Sequence, residues 1–483
     1  MSVLGIDIGT GSCKAAVFNA DGRLLAESQR PYSLHLTDDG SAELDSEQVM
    51  ECCLSVIREA AHRAGSDKVQ AIGVSSQGEA FTPIDQNGRA LGRAMVSSDV
   101  RSANFSREWP EKFGPDRLYQ ITGHTAHPLF SLFKLLWTKA NRPDVWRRAA
   151  KFLCFEDLLH TRLGVPPSMG WPLAGRTMLF DVRRHAWSGE ILDSIGLERE
   201  RLATPLLSGT IVGAVTADLG LAKGAVVVTG GHDQTCGALG AGAVEPGMAM
   251  YATGSVECIC PTFASPVFST ALQHNNICTY DHVIPGRYAT VAYSLTGGNI
   301  LRWFKEQFAP AESYDALLAS AAQSPTKLLV LPYWTPSGTP YFDVSTPGVI
   351  CGLRMNTTRG EILRALLEGV ALEMRLNLEI LRESGCEVNE LRAIGGGARS
   401  QFWTQLKADV INRPISRLNV EEAGCLGAAM LAYSAIGGEP LAALVRRWVQ
   451  PLSVIRPNGG NSYDALFSKY REAYPLLRSL PGL

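Results

Sequence analysis

The stretch VLGIDIGTGSCKAAVF, residues 3–18, decides the fold, because it reads as two apolar strands joined by a turn of glycines and hydroxyls. The turn, residues 9–12, can offer backbone N–H groups and hydroxyls to phosphate oxygens. Asp7, which precedes the turn, can hold Mg²⁺ directly or through water. The alternative is a tight hairpin with an incidental aspartate.

The same pattern recurs about half a chain later. Residues 248–252 read as a strand, Thr253-Gly254-Ser255 as a glycine and hydroxyl turn, and residues 256–260 as a returning strand. This repetition predicts two similarly built lobes, residues 1–245 and 246–483, each presenting a phosphate-binding hairpin to a shared cleft. Pro and Gly in the segment 244–247 indicate a hinge between the lobes.

The segment GGHDQTCGALG, residues 230–240, places Asp233 among small residues directly after the apolar run 225–228. A carboxylate at the end of a buried strand is costly unless it is paired or hydrogen-bonded, and the flanking glycines allow a ligand to approach it. Asp233 is therefore a candidate catalytic base. The alternative is a turn aspartate that caps the next helix.

The second half contains a glycine run, residues 395–397, that follows an apolar strand and opens a predicted helix over residues 401–411. The run would let a ring or a phosphate lie against the backbone near a positive helix end. Another helix is predicted to start at Glu421, with acidic residues in its first turn, and residues 361–384 form a predicted core helix. The P-loop pattern is absent, and Lys14 stands where the dinucleotide fingerprint needs glycine.

Composition limits the function classes. The 483 residues suggest roughly two to four domains. A net charge of −2 without a basic cluster gives no electrostatic argument for nucleic acid or a membrane surface as a partner. The N-terminus lacks a signal pattern and no apolar stretch reaches the ~18 residues needed to span a bilayer, so we expect the cytoplasm. The 11 cysteines are read as reduced thiols.

Taken together, these motifs resemble the FGGY family of carbohydrate kinases. The resemblance rests on their order and spacing across nearly the whole chain, in the segments GIDIGT (5–10), GHDQ (231–234), RALLEG (364–369), GGGARS (395–400) and EAGCLGAA (422–429). It implies an α/β fold with two lobes of the actin and hexokinase type, each a mixed sheet flanked by helices. The lobes would close on ATP, Mg²⁺ and a sugar, and a homodimer is one expectation.

The resemblance also implies roles for individual residues. Asp233 resembles the family's base, which takes the proton of a sugar hydroxyl as it attacks the γ-phosphate, and Asp7 and Asp233 are the metal-side carboxylates. The residues implied in nucleotide binding are Gly9, Thr10, Gly11, Ser12, Lys14, Gly254, Ser255, Gly298, Gly396, Gly397, Ala398 and Ser400. Those implied in substrate binding are Gln77, Gly78, Glu79, Asp99, Arg101, Asp233 and Gln234.

The sugar pocket departs from the family's subgroups. Gln77-Gly78-Glu79 is similar to the Gln-Arg-Glu of glycerol kinases, where xylulose kinases usually carry Gln-Met-His-Gly. Gly78 replaces the arginine, and Ser97 stands where both subgroups commonly have tryptophan, so we expect a widened pocket. This favours a ketose, such as a xylulose-like ketopentose, or a polyol of about four to six carbons over glycerol.

Alternatives remain for several residues. Gln77 and Glu79 could satisfy loop backbone, Asp99 and Arg101 could form a structural ion pair, and the role of His232 is open. For the whole protein, the alternatives are a non-catalytic sensor of sugar and nucleotide, or a nucleotide-driven binding protein on the same two-lobed core. The sensor predicts damage to Asp7 or Asp233, and both are present.

Overall fold

The computed structural model describes residues 1–343, 345–459 and 462–480. The strands in these ranges are β1 (Ser2–Ile8), β2 (Ser12–Phe18), β3 (Leu24–Pro31), β4 (His35–Leu36), β5 (Ala42–Leu44), β6 (Val69–Ser76), β7 (Thr82–Ile84), β8 (Ala94–Met95), β9 (Lys151–Leu153), β10 (Ser168–Gly170), β11 (Phe180–Asp181), β12 (Ala186–Trp187), β13 (Thr204–Leu206), β14 (Ile211–Ala214), β15 (Val226–His232), β16 (Met248–Thr253), β17 (Glu257–Phe263), β18 (Tyr280–Asp281), β19 (Tyr288–Ala289), β20 (Ala292–Ser294), β21 (Leu329–Leu331), β22 (Val349–Cys351), β23 (Glu390–Ile394), β24 (Ile415–Leu418) and β25 (Pro451–Ile455).

The α-helices are α1 (Ser46–Arg63), α2 (Ala103–Phe113), α3 (Pro115–Thr122), α4 (Ser131–Asn141), α5 (Pro143–Arg148), α6 (Phe155–Arg162), α7 (Trp171–Gly175), α8 (Gly189–Ile195), α9 (Asp233–Gly240), α10 (Thr270–His274), α11 (Gly298–Phe308), α12 (Tyr314–Ala319), α13 (Arg359–Glu383), α14 (Gln401–Ile411), α15 (Ala423–Gly437), α16 (Leu441–Trp448) and α17 (Asp464–Arg478). Two 3₁₀-helices span Arg199–Arg201 and Gly396–Arg399.

The first large sheet has the strand order β14-β15-β6-β1-β2-β3. β1 and β2 form the predicted hairpin and pair antiparallel, whereas β6 runs parallel to β1 on its other side and β15 runs parallel to β6. The register places Asp7 opposite Lys14 on β2 and beside Ser75 on β6. The end of β1 thus brings a carboxylate, an ammonium group and a hydroxyl to one edge.

The second large sheet repeats this arrangement in the order β18-β19-β17-β16-β23-β24-β25, and β20 also pairs with β17. β16 and β17 are the second antiparallel hairpin, and β23 runs parallel to β16 with β24 parallel to β23. The predicted hairpins and the two-lobed mixed α/β fold are confirmed.

Two helices interlock the halves of the chain. α15, from the second half, packs on β1 and β6 of the first sheet and against α9. The approach needs glycine, because a Cβ on Gly5 would lie 1.8 Å from the Cys425 carbonyl oxygen and one on Gly427 would lie 1.9 Å from that of Cys236. The lobe division at 245/246 stays a prediction, and α15 packs across it.

The helix predictions have mixed outcomes. The helix over residues 401–411 is confirmed as α14, and the core helix is α13, Arg359–Glu383, slightly earlier than predicted. The prediction that Glu421 and Glu422 lie in the first turn of a helix is wrong, because α15 begins at Ala423. Glu422 is the residue before it, with φ −119° and ψ 76°, and its carboxylate accepts hydrogen bonds from Lys14 Nζ.

Across residues 1–343, 345–459 and 462–480, no helix combines the length and apolar character that crossing a membrane requires.

Candidate active site between the two sheets

Asp7, the penultimate residue of β1 and the one partly exposed position in that strand, lines the cleft between the sheets. Burial raises the pKa of Asp7, the hydrogen bond that Ser75 Oγ donates to Oδ1 at 2.6 Å opposes this shift, and the Glu422 charge adds to it. The charge of Lys14 lowers the pKa of Asp7, but Lys14 Nζ is itself paired with Glu422 at 2.8 Å. The Asp7 carboxylate therefore has no direct cationic partner within the described chain, and a bound cation would stabilise its charged form.

The first turn is closed by a hydrogen bond from the Gly9 N–H to the Ser12 carbonyl at 3.0 Å. A Cβ on Gly11 would meet nothing within 4 Å, so this backbone is open to a ligand. Gln77 braces the turn: its Nε2 donates to the Gly9 carbonyl at 3.0 Å, and its Oε1 accepts from Thr10 Oγ1 at 3.2 Å. Both ends of the Gln77 amide therefore contact the turn. Its predicted role in substrate binding stays a prediction.

The second turn is joined to the start of α11. Gly254 N–H donates to the Val256 carbonyl at 3.1 Å, and Gly298 N–H donates to the Gly254 carbonyl at 2.8 Å. Asn299 N–H likewise donates to the Ser255 carbonyl at 3.1 Å. The structure thus brings Gly254, Ser255 and Gly298 together at the N-terminal end of an 11-residue helix, which favours an anion.

The third loop, after β23, packs on the second turn. Gly395 has φ 85°, and a Cβ on Gly397 would lie 3.0 Å from Thr253 Oγ1. The short 3₁₀-helix Gly396–Arg399 follows, and Ser400 caps α14 by accepting a hydrogen bond from the Trp403 N–H at 3.2 Å. Two of the three predicted nucleotide loops are therefore in direct contact.

Asp7 and the third loop lie on the walls of one cleft of about 580 Å³, within the range of a small-molecule or cofactor pocket. The cleft is lined by Asp7, Lys14, Ala393, Ile394, Gly395, Gly396, Ala398, Arg399, Arg417, Leu418, Asn419, Val420, Glu421, Glu422, Ala423, Gly424 and Leu452. The side walls therefore come from the first hairpin, the third loop and the entry to α15.

Asp233 is the first residue of α9, directly after β15. Burial and the charges of Asp7 and Glu79 raise the pKa of Asp233 to about 7, and Gln234, whose Nε2 donates to Oδ1 at 3.2 Å, opposes this rise. The side chain is still 28% exposed. Asp233 is not the N-cap of α9, as the alternative reading had it. The N-cap position is held by His232, whose side chain makes no capping hydrogen bond. A carboxylate with a pKa near 7 suits a general base.

Glu79 has a left-handed backbone, with φ 66°, and is 4% exposed. Its Oε1 accepts a hydrogen bond from Arg176 Nε at 2.6 Å, and its carbonyl accepts from Ser131 Oγ at 2.9 Å and Lys134 Nζ at 3.2 Å. A buried residue held in this region of φ is strained, and such strain clusters at functional sites. Its predicted substrate role stays a prediction, with one carboxylate oxygen already paired.

Asp99 and Arg101 form a buried ion pair. Arg101 Nε donates to both Asp99 oxygens at 3.1 Å, and its NH2 group donates to Glu43 Oε1 at 2.6 Å. Asp99 Oδ2 also accepts from the Ala42 N–H at 3.0 Å. These contacts connect the loop to β5, the structural arrangement considered in the sequence analysis, and substrate contacts by this pair remain a prediction.

The expectation that Gly78 widens the pocket stays a prediction, and the space directly beside Gly78 is not empty. A Cβ on Gly78 would lie 3.0 Å from the His232 imidazole, so the ring occupies the space that a side chain would fill. His232 contacts Asp233 and the Tyr280 hydroxyl.

Sequence reasoning missed four residues that contact this site: Ser75, His124, Arg176 and Tyr280. Ser75 could have been found, because it lies opposite Asp7 once β1 and β6 are aligned in parallel. Arg176 and Tyr280 are 97 and 48 residues from the partners they contact, and no motif marks them.

Both halves of the chain match one family. Residues 2–240 match the N-terminal domain, and residues 249–436 the C-terminal domain, of the FGGY family of carbohydrate kinases. The chain belongs to the FGGY family. The two matches cover both hairpins, Asp233 and the glycine run, so the resemblance drawn from the motifs is confirmed.

Individual relatives agree with this assignment. The chain is 29% identical to a protein named xylulose kinase from Bacillus subtilis, over 99% of this chain and 97% of that one. A solved structure titled as a xyloylose kinase from Brucella ovis superposes with a TM-score of 0.91 at 25% identity, over 99% and 100% of the two chains. The structure titled Plasmodium falciparum glycerol kinase with ADP has a TM-score of 0.89 at 20% identity, over 100% and 99%, and shows the shared fold.

This FGGY kinase is therefore an enzyme that transfers phosphate from ATP to an alcohol group of a sugar or polyol. The comparisons give no support to a non-catalytic sensor.

Proposed function

We propose that the protein phosphorylates a small ketose, first of all a xylulose-like ketopentose, with Asp233 as the general base. The observation that carries the proposal is the pair Asp7 and Asp233: Asp7 lines the cleft, and it lies close enough to Asp233 for its charge to help raise the pKa of Asp233 to about 7. The relatives named xylulose kinase support the choice of ketopentose. A polyol of four to six carbons is the second candidate, because Glu79 resembles the corresponding residue of glycerol kinases.

In the proposed reaction, Asp233 accepts the proton of the sugar hydroxyl as its oxygen bonds to the γ-phosphorus. The bond between that phosphorus and the β,γ-bridging oxygen breaks, and ADP leaves with its electron pair. The base removes the proton as the new bond forms. A base with a pKa near 7 suits this step at neutral pH, because it is largely ionised there and still basic enough to accept the proton.

The remaining residues position the nucleotide. The Gly9–Ser12 turn and the turn at Gly254 and Ser255 would donate backbone N–H groups to phosphate oxygens. Gly396, Gly397 and Ala398 would lie against the adenine, in the cleft that Lys14 also lines. Ser400, which caps α14, would lie at the end of this loop. Closure of the cleft would exclude water, which competes with the sugar for the phosphoryl group.

Mg²⁺ fits the donors near Asp7. The described residues contain no group of three or more histidine, cysteine, aspartate or glutamate side chains that could cage a metal, whereas Mg²⁺ is commonly held by one or two carboxylates together with nucleotide phosphates and water. We propose that Asp7, directly or through water, and Asp233 hold it. When bound, the ion neutralises phosphate charge and orients the γ-phosphate.

The proposal also includes the cytoplasm, a homodimer, and lobes divided near residue 245. The cytoplasm is supported by the 11 cysteines, all of which are free thiols. Light scattering on the purified protein tests the dimer.

The test of the function is ADP release from ATP-Mg²⁺ against a panel of ketopentoses, ketohexoses, tetritols, pentitols and glycerol. We expect the greatest kcat/KM with a ketopentose and a phosphorylated product of matching mass. A greatest value with a pentitol or tetritol would move the assignment to the second candidate. Release that no acceptor stimulates would contradict the proposed function.

A further inference from the structure

Tyr293, the middle residue of β20, lies on the face of the second sheet that is turned towards the first half of the chain. It stands directly opposite Cys258 of β17, and directly opposed residues of antiparallel strands project to the same face. The hydrophobic core built mainly from the first half includes Cys258, and Tyr293 packs against it. The Tyr293 ring therefore enters the region between the two halves.

The same face of the second sheet carries α9. Cys260 shares a face with Cys258, because side chains alternate along a strand, and it stands opposite Met250 of β16. A Cβ on Gly237 of α9 would lie 2.9 Å from Met250 Sδ. Since Asp233 is the first residue of α9, Tyr293 and the proposed base lie on the same side of this sheet.

Two charged side chains of the first half, Glu79 and Arg176, act on the Tyr293 hydroxyl. Burial raises the pKa of Tyr293, the charge of Glu79 adds to this rise and that of Arg176 opposes it, so the hydroxyl keeps its proton at neutral pH. Tyr293 is hydrogen-bonded through its backbone, and Glu79 through Oε1 and its carbonyl. In the part of the chain that the structure describes, no hydrogen bond involves the Tyr293 hydroxyl or Glu79 Oε2.

The loop formed by residues 335–343 holds the backbone of Tyr293. The Tyr293 N–H donates to Thr339 Oγ1 at 2.8 Å, and the Thr339 N–H donates to the Tyr293 carbonyl at 3.0 Å. A Cβ on Gly338 would lie 2.0 Å from that carbonyl oxygen, so the close approach needs glycine. Asn377 Nδ2 of α13 donates to the Thr339 carbonyl at 3.0 Å and fixes the loop to this helix. The position of Tyr293 is therefore set before any ligand binds.

Phe342, from the same loop, bridges the two halves. The centroid of its ring lies 6.0 Å from that of Tyr293 and 4.8 Å from that of His127, which belongs to the first half. Phe342 has a left-handed backbone with φ 51°, which is costly for a bulky residue, and such strain clusters at functional sites. The three rings thus form one wall that runs from one half of the chain to the other.

We propose that Tyr293 is a specificity-determining residue whose hydroxyl binds a hydroxyl group of the acceptor sugar. The proposal rests on the proposed function and adds a contact to the same pocket. Glu79 Oε2 would accept a hydrogen bond from one acceptor hydroxyl, and Tyr293 would bind another, so a polyhydroxy chain would be held by both halves. An acceptor without a hydroxyl within reach of Tyr293 would leave this polar group unpaired, which discriminates against it.

The first experiment compares kcat/KM of wild type and Tyr293→Phe for the best acceptor of the panel and for its monodeoxy analogues. The substitution keeps the ring and its packing and removes only the hydroxyl. We expect kcat/KM for the full acceptor to fall roughly tenfold, the effect of one lost hydrogen bond, with KM for ATP unchanged. With the analogue that lacks the hydroxyl bound by Tyr293, the variant should be at least as active as wild type.

The matched control is Tyr288→Phe, which removes a hydroxyl from a partly buried tyrosine on β19 of the same sheet. This variant should match wild type with every acceptor. A second measurement, titration calorimetry of the acceptor without nucleotide, separates binding from transfer. Tyr293→Phe should raise Kd by the same factor by which it lowers kcat/KM, and Tyr288→Phe should leave Kd unchanged.

An acceptor that wild type and Tyr293→Phe bind and use equally well would overturn the contact alone. A loss in Tyr293→Phe of the same size for the full acceptor and for every deoxy analogue would also overturn it, because no single hydroxyl would then be recognised. ADP release that no acceptor stimulates in wild type would overturn the proposed function and this contact together.

Discussion

Gly424, the second residue of α15, faces the Asp7 carboxyl group so closely that a Cβ on it would lie 2.8 Å from Asp7 Cγ. Two residues more than 400 positions apart therefore share one wall of the cleft. The start of α15 lies on this wall, and the N-terminal end of a helix favours the phosphates expected there. The lack of a side chain at position 424 lets Asp7 keep its place.

Gly424→Ala should displace the Asp7 carboxylate or the first turn of α15. We expect KM for ATP-Mg²⁺ to rise by about tenfold or more and kcat to fall, because both depend on where Asp7 holds charge. Steady-state kinetics at saturating sugar measure this. Gly437→Ala is the matched control on the same helix, where the added methyl would meet its nearest atom at 3.5 Å. Equal kinetics for the two variants would contradict the placement.

Activity should depend on the ionisation of Asp233. Burial, Asp7 and Glu79 raise the pKa of Asp233 to about 7, and only the carboxylate form can accept a proton. The value of kcat/KM should therefore decrease tenfold per unit as pH falls below about 7 and level off above it. A profile that stays flat from pH 8 to pH 5 would show that no group with this pKa acts in the free enzyme.

The same shift predicts a stability gain in Asp233→Asn. The folded-state pKa is raised, so the wild-type protein loses stability as pH rises from the unfolded value near 4 to the folded value near 7. Asparagine avoids this cost, and the variant should be more stable by roughly 2–4 kcal/mol at pH 8 and equal to wild type near pH 3. Urea unfolding at both pH values measures the difference. A variant less stable than wild type at pH 8 would refute the origin of the shift.

Glu79 and Arg176 should act in sugar recognition rather than in ATP binding. Glu79→Ala should raise KM for the sugar far more than KM for ATP. It should also lower the free energy of unfolding by about 3–5 kcal/mol, because it leaves the buried Arg176 guanidinium without its carboxylate partner. Glu79→Gln keeps the volume and separates the two effects. The control is Glu47→Gln, which breaks an ion pair with Arg162 at a position where Glu47 is 48% exposed. This variant should change neither KM nor the free energy of unfolding by much. Equal increases in both KM values would contradict the assignment.

The features that the sequence predicted well are local ones. Both hairpins, the strand leading to Asp233 and the helix Gln401–Ile411 follow from apolar runs broken by glycine, and short-range backbone preferences fix such elements. The start of α15 was misplaced because Glu422 pairs with Lys14, 408 residues away, instead of entering the first turn.

The parts that could not be predicted depend on contacts between distant segments. Arg176 pairs with Glu79 across 97 residues, and Gly78 is small because of the imidazole of His232. From the sequence alone, a glycine at position 78 is equally consistent with a wider pocket. Only the three-dimensional structure shows that the His232 ring lies beside it. The long-range approach of α15 to β1 likewise has no local signal beyond small residues.

The most direct test of the central claim is kcat of Asp233→Asn with the best acceptor of the panel, beside KM for ATP and the melting temperature. The account predicts a loss of roughly 10²- to 10⁴-fold in kcat, the usual range for removal of a general base, with KM for ATP nearly unchanged and the fold intact. A folded Asp233→Asn protein that turns over at the wild-type rate would contradict it.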